Sequence, residues 1–587
     1  MTSMRTTVLL FFAAALFGQQ APPAPPKVAR IEGTAVTTAG APVPRARVRL
    51  AGAPAVQNGA LSPALRFEAM TDEAGKFVIE NITPGPKYSL TAEKAGFVTA
   101  RYGARSANSS PVTLMLEGDQ SLKGLTLRLS PQGTISGRII DVNGDPMQGA
   151  VVAVQRRGYV RGVPQLLPAG NATADDRGEF RVANVPAGRY TVTANPLRGS
   201  LAVSANKTAP LLTYYPNAAD SRGASFFNLA EGQDRAGVQI QMRQGVVYSV
   251  SGKVADAAGA PAKSALAMAV PKGASIAEIN GSGIVGTTGA DGAFLLRGLV
   301  PGAYLVQVSG ITSGGQGLSE FTITDKDVTG VNVQFGGGST LKGTVRLTEG
   351  NLKDLLPAPS GTADNATQTA LARAAAVAPG LLPGLPAGGG LPSVTLVESG
   401  AVLALRASAA LLGQDGTLTF ENVSTGDYKY TVAAMPAGTY VKSVQFGGAD
   451  VTHSLVRVTG PGATLDIVLA KNAPGVSGSV VNDKGEAQAG VTVALWTQNP
   501  DPGSLSNGVT VATTDRSGAF QFQSLTPATY YAAAFEDIDS GLAQARELLT
   551  LLISGAEKLE LKEGDTPSRV LKMIPVARIN AAEEKLP

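Results

Sequence analysis

The 587-residue chain contains no cysteine, a single histidine and a single tryptophan, and only 16% of its residues are charged. Without cysteine there can be no disulfide, thiol nucleophile, cysteine-bound zinc or iron–sulfur cluster. One histidine cannot supply the two or three imidazoles of a catalytic zinc site, and any Ser–His chemistry would depend on His453. We therefore predict no catalytic residue, no metal and no cofactor. The net charge is +4 with no long Lys/Arg run, so we expect no nucleic-acid partner.

The N-terminus has the pattern of a secretory signal. Arg5 precedes an unbroken apolar run over 8–17, and small or polar residues follow. A run of ten residues is too short to cross a bilayer, which takes about 20. We predict a signal peptide over 1–20, an Ala/Pro linker over 21–27, and no membrane span after the signal is removed. The protein is then exported, to the periplasm, the cell surface or the medium.

The chain repeats itself in five units. Each unit opens on a strand that begins Gly-x-hydrophobic, at Gly33, Gly137, Gly252, Gly343 and Gly478. In most units a turn rich in Asp, Gly and Pro follows, as expected for a hairpin. A second motif, D-x-x-G-x-F or a variant of it, ends at Phe77, Phe180, Phe294, Leu418 and Phe520. A tyrosine comes about ten residues later, at Tyr88, Tyr190, Tyr304, Tyr428 and Tyr530. This spacing predicts that the Phe and Tyr begin adjacent antiparallel strands, with the tyrosine in the core.

A third motif is an alternating strand such as Leu125-Thr-Leu127-Arg-Leu129, which predicts one buried and one wet face. The second motif recurs about every 100 to 125 residues, which suits separate β-sandwiches arranged as an elongated rod. We place the five domains, with insertions at 199–234 and 350–392, at 28–130, 131–245, 246–337, 338–471 and 472–587. Short helices are predicted over 367–378 and 542–552, the second with Ser540 as its N-cap.

These motifs resemble the carboxypeptidase regulatory-like domain, a transthyretin-like (prealbumin-like) β-sandwich. Units one, two, three and five carry most of the family's pattern, and unit four only its second half. The resemblance implies an all-β fold, a tandem array of about five prealbumin-like β-sandwich domains. It also implies similarity to tandem arrays in exported bacterial proteins that generally lack an assigned activity. A carbohydrate-binding-like fold is associated with the family, but a fold does not fix a function.

Few residues are candidates for ligand binding. The repeated Asp-x-x-Gly turns offer one or two carboxylates each, which suits a turn better than a calcium loop. Trp496 follows Val491-Thr-Val493-Ala-Leu495, so alternation places it on the opposite face from these apolar residues. An outward Trp496 beside the loop Gln498-Asn-Pro-Asp-Pro-Gly503 would suit a sugar. Tyr214 and Tyr215, in the aromatic-rich insertion, are the other candidates, and we expect both to be exposed.

Two functional hypotheses follow. The first is a non-enzymatic, exported scaffold, spacer or adhesion module of the cell envelope. The alternative is a carbohydrate-binding protein with its site near Trp496 or in the insertion over 199–234. A role as accessory to a separately encoded peptidase rests only on the family resemblance. The expected partners are accordingly envelope proteins or glycans, and the sequence predicts no oligomeric state.

Overall fold

The computed structural model describes residues 27–586, apart from 53–55, 58–59, 62–64, 86, 197–206, 257, 273–283, 310–315, 335–338, 357–391 and 400–406. The predicted signal peptide, most of the linker and the helix predicted over 367–378 lie outside the described residues. The described chain forms five β-sandwiches, which we call sandwich 1 (29–129), sandwich 2 (133–246), sandwich 3 (248–334), sandwich 4 (339–470) and sandwich 5 (476–583). The predicted all-β tandem fold is confirmed. None of the described helices is long and apolar enough to cross a membrane.

One sheet of each sandwich is built on three strands: the strand of the Phe motif, the opening strand and the closing strand. The opening strand lies in the middle, antiparallel to the first and parallel to the last. In chain order of the sandwiches, these strands are Lys76–Ile82, Ala29–Thr37 and Ser121–Leu129; Glu179–Val185, Gly133–Ile140 and Asp234–Gln241; Ala293–Leu299, Tyr248–Ala255 and Val328–Gln334; Thr417–Val423, Ser339–Leu347 and Thr464–Ala470; and Ala519–Phe522, Val476–Val481 and Ser568–Ile574. Tyr440–Phe446 and Ala449–Asp450 extend this sheet in sandwich 4.

The second sheet of each sandwich contains the strand of the repeated tyrosine. Its strands are Arg66–Met70, Arg47–Gly52, Lys87–Glu93, Ala100–Arg101 and Leu114–Met115; Val163–Thr173, Val151–Val160, Gly188–Asn195, Thr213–Tyr214 and Phe227–Leu229; Ile284–Thr287, Leu266–Pro271, Gly302–Ser309 and Gln316–Ile323; Ala407–Leu411, Ser393–Glu398, Gly426–Ala433 and Val456–Val458; and Val509–Thr513, Thr492–Thr497, Ala528–Phe535 and Glu557–Leu561. Two small ladders pair Val56–Gln57 with Ala60–Leu61 and Thr208–Pro210 with Gln244–Val246. In sandwich 5 the closing strand also pairs with Ala528–Phe535, which joins both sheets into one of seven strands.

Helical segments are few among the described residues. They are the α-helices Arg546–Leu551 and Val576–Glu583 and the 3₁₀ turns Leu352–Asp354, Leu542–Gln544 and Ile553–Gly555. The helix predicted over 542–552 is therefore broken at Ala545, and Ser540 is not its cap. Leu542, Ala545, Leu549 and Leu552, which form the apolar face of this segment, are all buried. The helix Val576–Glu583 was not predicted, since only Ile579 and Ala582 mark its buried face.

The opening glycine of each unit is required by a close approach between the opening and closing strands. A Cβ at Gly137 would lie 1.7 Å from the carbonyl oxygen of Val238, and a Cβ at Gly478 would lie 1.9 Å from that of Arg569. The other three opening glycines meet a closing-strand carbonyl at 1.8 to 2.4 Å. No side chain fits such a gap, which explains why this residue recurs at the start of every unit.

The predicted adjacency of the Phe and Tyr strands is wrong. Phe77 lies in the sheet of the opening strand, whereas Tyr88 lies in the opposite sheet, and the same holds in sandwiches 2 to 4. In sandwich 5 two strands separate them. The short connection crosses from one sheet to the other at the end of the core. The two aromatic rings therefore enter the core from opposite sheets, and both are buried. Periodicity identifies the buried face of a strand but not the sheet that the strand joins.

The repeated tyrosines are core residues, as predicted. Each is buried, and its hydroxyl donates a hydrogen bond to a backbone carbonyl four or five residues earlier. The acceptors are Thr83, Pro186, Val300, Ser424 and Thr526. This bond satisfies the one polar atom that the ring brings into the core, and it ties the sheet-crossing connection to the strand that follows it.

Replacing Tyr530 by phenylalanine tests this role through pH. Burial raises the pKa of Tyr530 to about 12, whereas an unfolded tyrosine titrates near pH 10. The neutral hydroxyl therefore stabilises the fold below about pH 10, and this contribution is lost as the pH rises towards 12. We expect Tyr530→Phe to cost about 1 kcal/mol at pH 8. That deficit should narrow at pH 11, as measured by urea unfolding followed by circular dichroism. A deficit that is the same at both pH values would contradict the assignment.

Candidate functional site

Sandwich 5 contacts sandwich 2 through a buried ion pair and a backbone hydrogen bond. The Arg156 guanidinium lies 3.0 Å from the Asp539 carboxylate, and both side chains are about four-fifths buried (21% and 17% exposed). The amide of Gly162 donates to the carbonyl of Gly541 over 3.1 Å. Tyr159 packs beside them on the apolar cluster that contains Trp496. The contact joins residues almost 400 positions apart in the sequence.

Sandwich 5 also contacts sandwich 1. Arg105 donates to the side chain of Gln488 over 3.0 Å, and the Ser106 hydroxyl donates to the Asp537 carboxylate over 3.1 Å. Burial raises the pKa of Asp537, an effect that the Ser106 hydrogen bond and the charge of Arg105 partly offset. The charged form of this carboxylate is therefore less favourable here than in water, even with Ser106 and Arg105 beside it.

Sandwich 4 contacts sandwich 5 through the loop that follows Trp496. The amide of Tyr430 donates to the carbonyl of Gly503, and the amide of Leu505 donates to the carbonyl of Tyr430. Ser504 and Tyr430 thus form a short parallel bridge between the two sandwiches. Burial, with smaller contributions from Asp501 and Asp450, raises the pKa of Tyr430, so its hydroxyl stays neutral.

Each of the three contacts has a glycine of sandwich 5 at its centre. A Cβ at Gly541 would lie 1.9 Å from the carbonyl oxygen of Tyr159, one at Gly490 would lie 2.1 Å from that of Gly103, and one at Gly503 would lie 2.5 Å from that of Ser454. Sandwiches 1, 2 and 4 therefore all approach sandwich 5 more closely than a side chain would allow. The prediction of an elongated rod is wrong, because the chain folds back so that its last sandwich contacts its first two.

Two clefts open at these contacts. One of about 620 Å³ lies on sandwich 5 beside its contact with sandwich 4, and it is lined by His453, Asp501, the 497–500 loop and strand residues near Tyr530. The other, of about 1070 Å³, lies between sandwiches 1 and 5 and is lined by Met115, Leu122, the 512–517 turn and strand ends of both sheets. The walls of the larger cleft come from sandwiches 1 and 5, so this cleft exists only in the folded-back arrangement, whereas the smaller cleft is formed by sandwich 5 with His453 of sandwich 4 at its edge.

The prediction that Trp496 is exposed is wrong. Its side chain is only 3% exposed and stacks on Tyr531, with ring centroids 5.8 Å apart. Alternation placed it correctly on the face away from Val493 and Leu495, but that face is covered by Leu542, Leu549 and the C-terminal helix. Trp496 is thus the centre of a second apolar layer of sandwich 5. The signal that could have revealed this layer is the apolar face of the helix predicted nearby.

The two tyrosines of the insertion occupy different environments. Tyr214 is 1% exposed and packs with Leu166, so its predicted exposure is also wrong. Tyr215 is half-buried and meets Phe227 edge to face, with centroids 6.0 Å apart. The structure therefore does not bring Trp496, Tyr214 and Tyr215 together. Whether any of them binds a ligand stays a prediction.

The remaining polar candidates have structural partners. Asp72 accepts hydrogen bonds from the amides of Ala74 and Lys76, and Asp175 and Asp515 do the same in their units. This geometry is that of a closed turn. No group of three or more potential metal ligands occurs in the part of the chain that the structure describes. His453 is 70% exposed and lies 3.6 Å from Asp501 at the rim of the smaller cleft.

The comparisons with known proteins agree with this architecture. Residues 30–122 and 134–209 match the model of the carboxypeptidase regulatory-like domain. The two matched regions lie in sandwiches 1 and 2, which confirms the resemblance seen in their motifs. No curated protein matches the chain.

Several solved structures share β-architecture with the chain at low identity. They include a streptococcal ancillary pilin (14% identity, 52% of this chain, 99% of that chain, TM-score 0.17) and the Bacillus anthracis TIE protein (10%, 95%, 76%, TM-score 0.14). GBS52, a minor pilin of Streptococcus agalactiae, is a third (13%, 36%, 94%, TM-score 0.20). With such low TM-scores, these likenesses carry no argument about function.

Proposed function

We propose that the chain is a non-enzymatic scaffold or adhesion module that acts outside the cytoplasm. The supporting observation is the arrangement around sandwich 5, which contacts sandwiches 1, 2 and 4 through the three glycines Gly490, Gly541 and Gly503. Such contacts hold several sandwiches in one fixed arrangement, so that loops distant in sequence form shared surfaces. A fixed composite surface lowers the ordering cost of binding a partner.

The proposal is tested with the full chain lacking residues 1–20 and with the envelope fraction of the cells that produce it. We expect saturable co-sedimentation of the protein with this fraction. The double variant Gly503→Val/Gly541→Val should bind at least tenfold more weakly, because its side chains separate sandwich 5 from sandwiches 4 and 2 at two glycines whose φ is not positive. Gly460→Val is the matched control, since a Cβ at Gly460 meets no atom within 4 Å.

Two results would contradict the proposal. Equal binding by the double variant would show that the composite surface is not used. An enzymatic activity towards a peptide, ester or glycoside that co-elutes with the protein in size-exclusion chromatography would show that the chain is an enzyme.

A further inference from the structure

The contacts between sandwiches divide the chain into two modules. We call sandwiches 1, 2 and 3 the first module and sandwiches 4 and 5 the second module. In the first module, the Thr38 hydroxyl of sandwich 1 donates to Glu231 of sandwich 2, and Lys207 of sandwich 2 pairs with Asp327 of sandwich 3. In the second module, the parallel bridge described above joins sandwich 4 to sandwich 5. Among the described residues, the hydrogen bonds and ion pairs that join one module to the other all involve sandwich 5.

The covalent connection between the modules is short and rich in glycine. Gln334 ends the last strand of sandwich 3, and Ser339 begins the first strand of sandwich 4. The sequence Gly336-Gly337-Gly338 lies between them. No hydrogen bond or strand pairing joins sandwich 3 to sandwich 4 in the part of the chain that the structure describes. Because glycine permits more backbone angles than any other residue, the arrangement of the modules depends on the contacts of sandwich 5.

These contacts join two surfaces that are complementary to each other. The first module presents Arg156 and the carbonyl of Tyr159, and the second module presents Asp539 and the bare backbone of Gly541. The ion pair needs a cation on one surface and an anion on the other, and the close approach needs a glycine on one side only. Every chain carries one copy of each surface, so the same contact is complete when the two surfaces come from different chains.

We propose that this contact also forms between chains, so that the protein binds a second copy of itself by exchanging the second module. The structure selects a second copy as the partner, because that copy presents the Asp539 and Gly541 surface that fits Arg156 and Tyr159. Reciprocal exchange closes a twofold dimer in which neither surface is left open. This self-association goes beyond the proposed scaffold role, which concerns partners other than this chain.

The balance between the single chain and the dimer depends on protein concentration. A short linker keeps the two surfaces of one chain at an effective concentration of roughly millimolar order. The folded-back single chain is therefore the main species in dilute solution. Contacts between domains resemble transient protein–protein interfaces, so they open and close again. Chains that are concentrated or held side by side then exchange their second modules.

The test reverses the buried ion pair in two separate chains, each lacking residues 1–20. Arg156→Glu places two carboxylates at the contact, and Asp539→Arg places two guanidinium groups there, so each variant alone should open. In an equimolar mixture, the introduced glutamate of one chain meets the introduced arginine of the other. The natural Arg156 and Asp539 also meet, so both contacts of the exchanged dimer are complementary. We expect light scattering after size-exclusion chromatography to show that the mass doubles on mixing.

Two control variants accompany the mixture. Arg156→Glu/Asp539→Arg carries both changes in one chain, which restores a complementary pair, and it should be a compact monomer. Arg222→Glu changes the net charge as Arg156→Glu does, but at an exposed arginine that pairs locally with Asp220. A mixture of Arg222→Glu with Asp539→Arg should therefore remain monomeric.

The natural chain provides a second measurement that needs no substitution. It is incubated over a range of concentrations in urea below the midpoint of unfolding and is then diluted into buffer. We expect a dimer fraction that increases with the concentration during incubation, because opened modules then meet other chains more often.

Four results would overturn the proposal. A mixture that stays monomeric, although each variant alone is expanded, would show that the contact forms only within one chain. Single variants as compact as the natural chain would show that the ion pair does not hold the modules together. Equal dimer formation in the Arg222→Glu mixture would reduce the association to net charge. If the double variant is expanded, the substitutions have damaged the site and the natural chain decides, because absence of a dimer at every concentration would refute exchange. These masses are measured on the isolated protein, so they do not depend on the outcome of envelope binding.

Discussion

Replacing Gly541 by valine is expected to detach sandwich 2 from sandwich 5 while both remain folded. Gly541 has the backbone angles φ −73° and ψ −38°, which any residue can adopt. The severe obstacle to a side chain here comes from outside sandwich 5, because a Cβ would lie 1.9 Å from the carbonyl oxygen of Tyr159, whereas the nearest atom of sandwich 5 itself is Asp539 Oδ1 at 3.2 Å. That carbonyl belongs to a strand and cannot move aside without breaking its ladder. The contact therefore has to open.

Opening this contact has measurable consequences. The Arg156–Asp539 pair becomes exposed to water, and the hydrogen bond from Gly162 to Gly541 is lost. We expect small-angle scattering to show a larger radius of gyration and a longer maximum dimension for Gly541→Val. The circular dichroism spectrum should stay that of the native chain. Gly460→Val should change neither, since its side chain would project into open space.

An unchanged scattering profile for Gly541→Val would show that sandwiches 2 and 5 are not in contact in solution. Loss of the native circular dichroism would show that Gly541 is required by sandwich 5 itself. In that case Asp539→Asn, which removes the charge of the ion pair and leaves the backbone alone, should still open the contact partly. A profile that Asp539→Asn also leaves unchanged would rule out the folded-back arrangement at this contact.

Replacing Trp496 by alanine is expected to destabilise sandwich 5 by about 3–5 kcal/mol. The indole is almost fully buried between Tyr531 and the helical segment that contains Leu542 and Leu549. Removal of the indole leaves a cavity between the sheet and the helical segment, and neither can move far enough to fill it. Because Tyr159 packs on the same cluster, the contact with sandwich 2 should weaken as well. Calorimetry should show one unfolding transition moved to lower temperature.

Trp496→Phe provides the comparison, because it keeps a ring against Tyr531 and should lose much less stability. An alanine variant as stable as the natural chain would mean that Trp496 is exposed after all. The hypothesis of a sugar-binding tryptophan would then regain its main support.

Most of the fold could be predicted because its strongest constraints are local. Strand alternation, the turn formed by Asp72 and the burial of Tyr190 are all decided within a few residues of sequence. Each of these features recurs in some form in all five units, so a chance match is excluded. The sequence shows the opening glycines as a motif, but the reason that glycine is required there is a closing-strand carbonyl that lies 79 to 122 residues later in the chain.

The arrangement of the sandwiches could not be predicted, because it depends on pairs that sequence patterns do not connect. Gly541 meets Tyr159, and Gly490 meets Gly103, across almost 400 residues. Nothing near either glycine indicates its partner. Trp496 illustrates the same limit at shorter range: alternation gave its direction, but its burial was decided by what lies on top of it.

The parallel pairing of opening and closing strands has a mechanical consequence. In sandwich 1 the strands Ala29–Thr37 and Ser121–Leu129 run side by side in the same direction. A force that pulls on the two ends of the unit acts at opposite ends of this pair and loads its hydrogen bonds in shear. All the bonds must then fail together, whereas in a peeling geometry they fail one at a time. Every sandwich repeats this pairing, so in each of the five units a parallel strand pair loaded in shear resists extension of the chain.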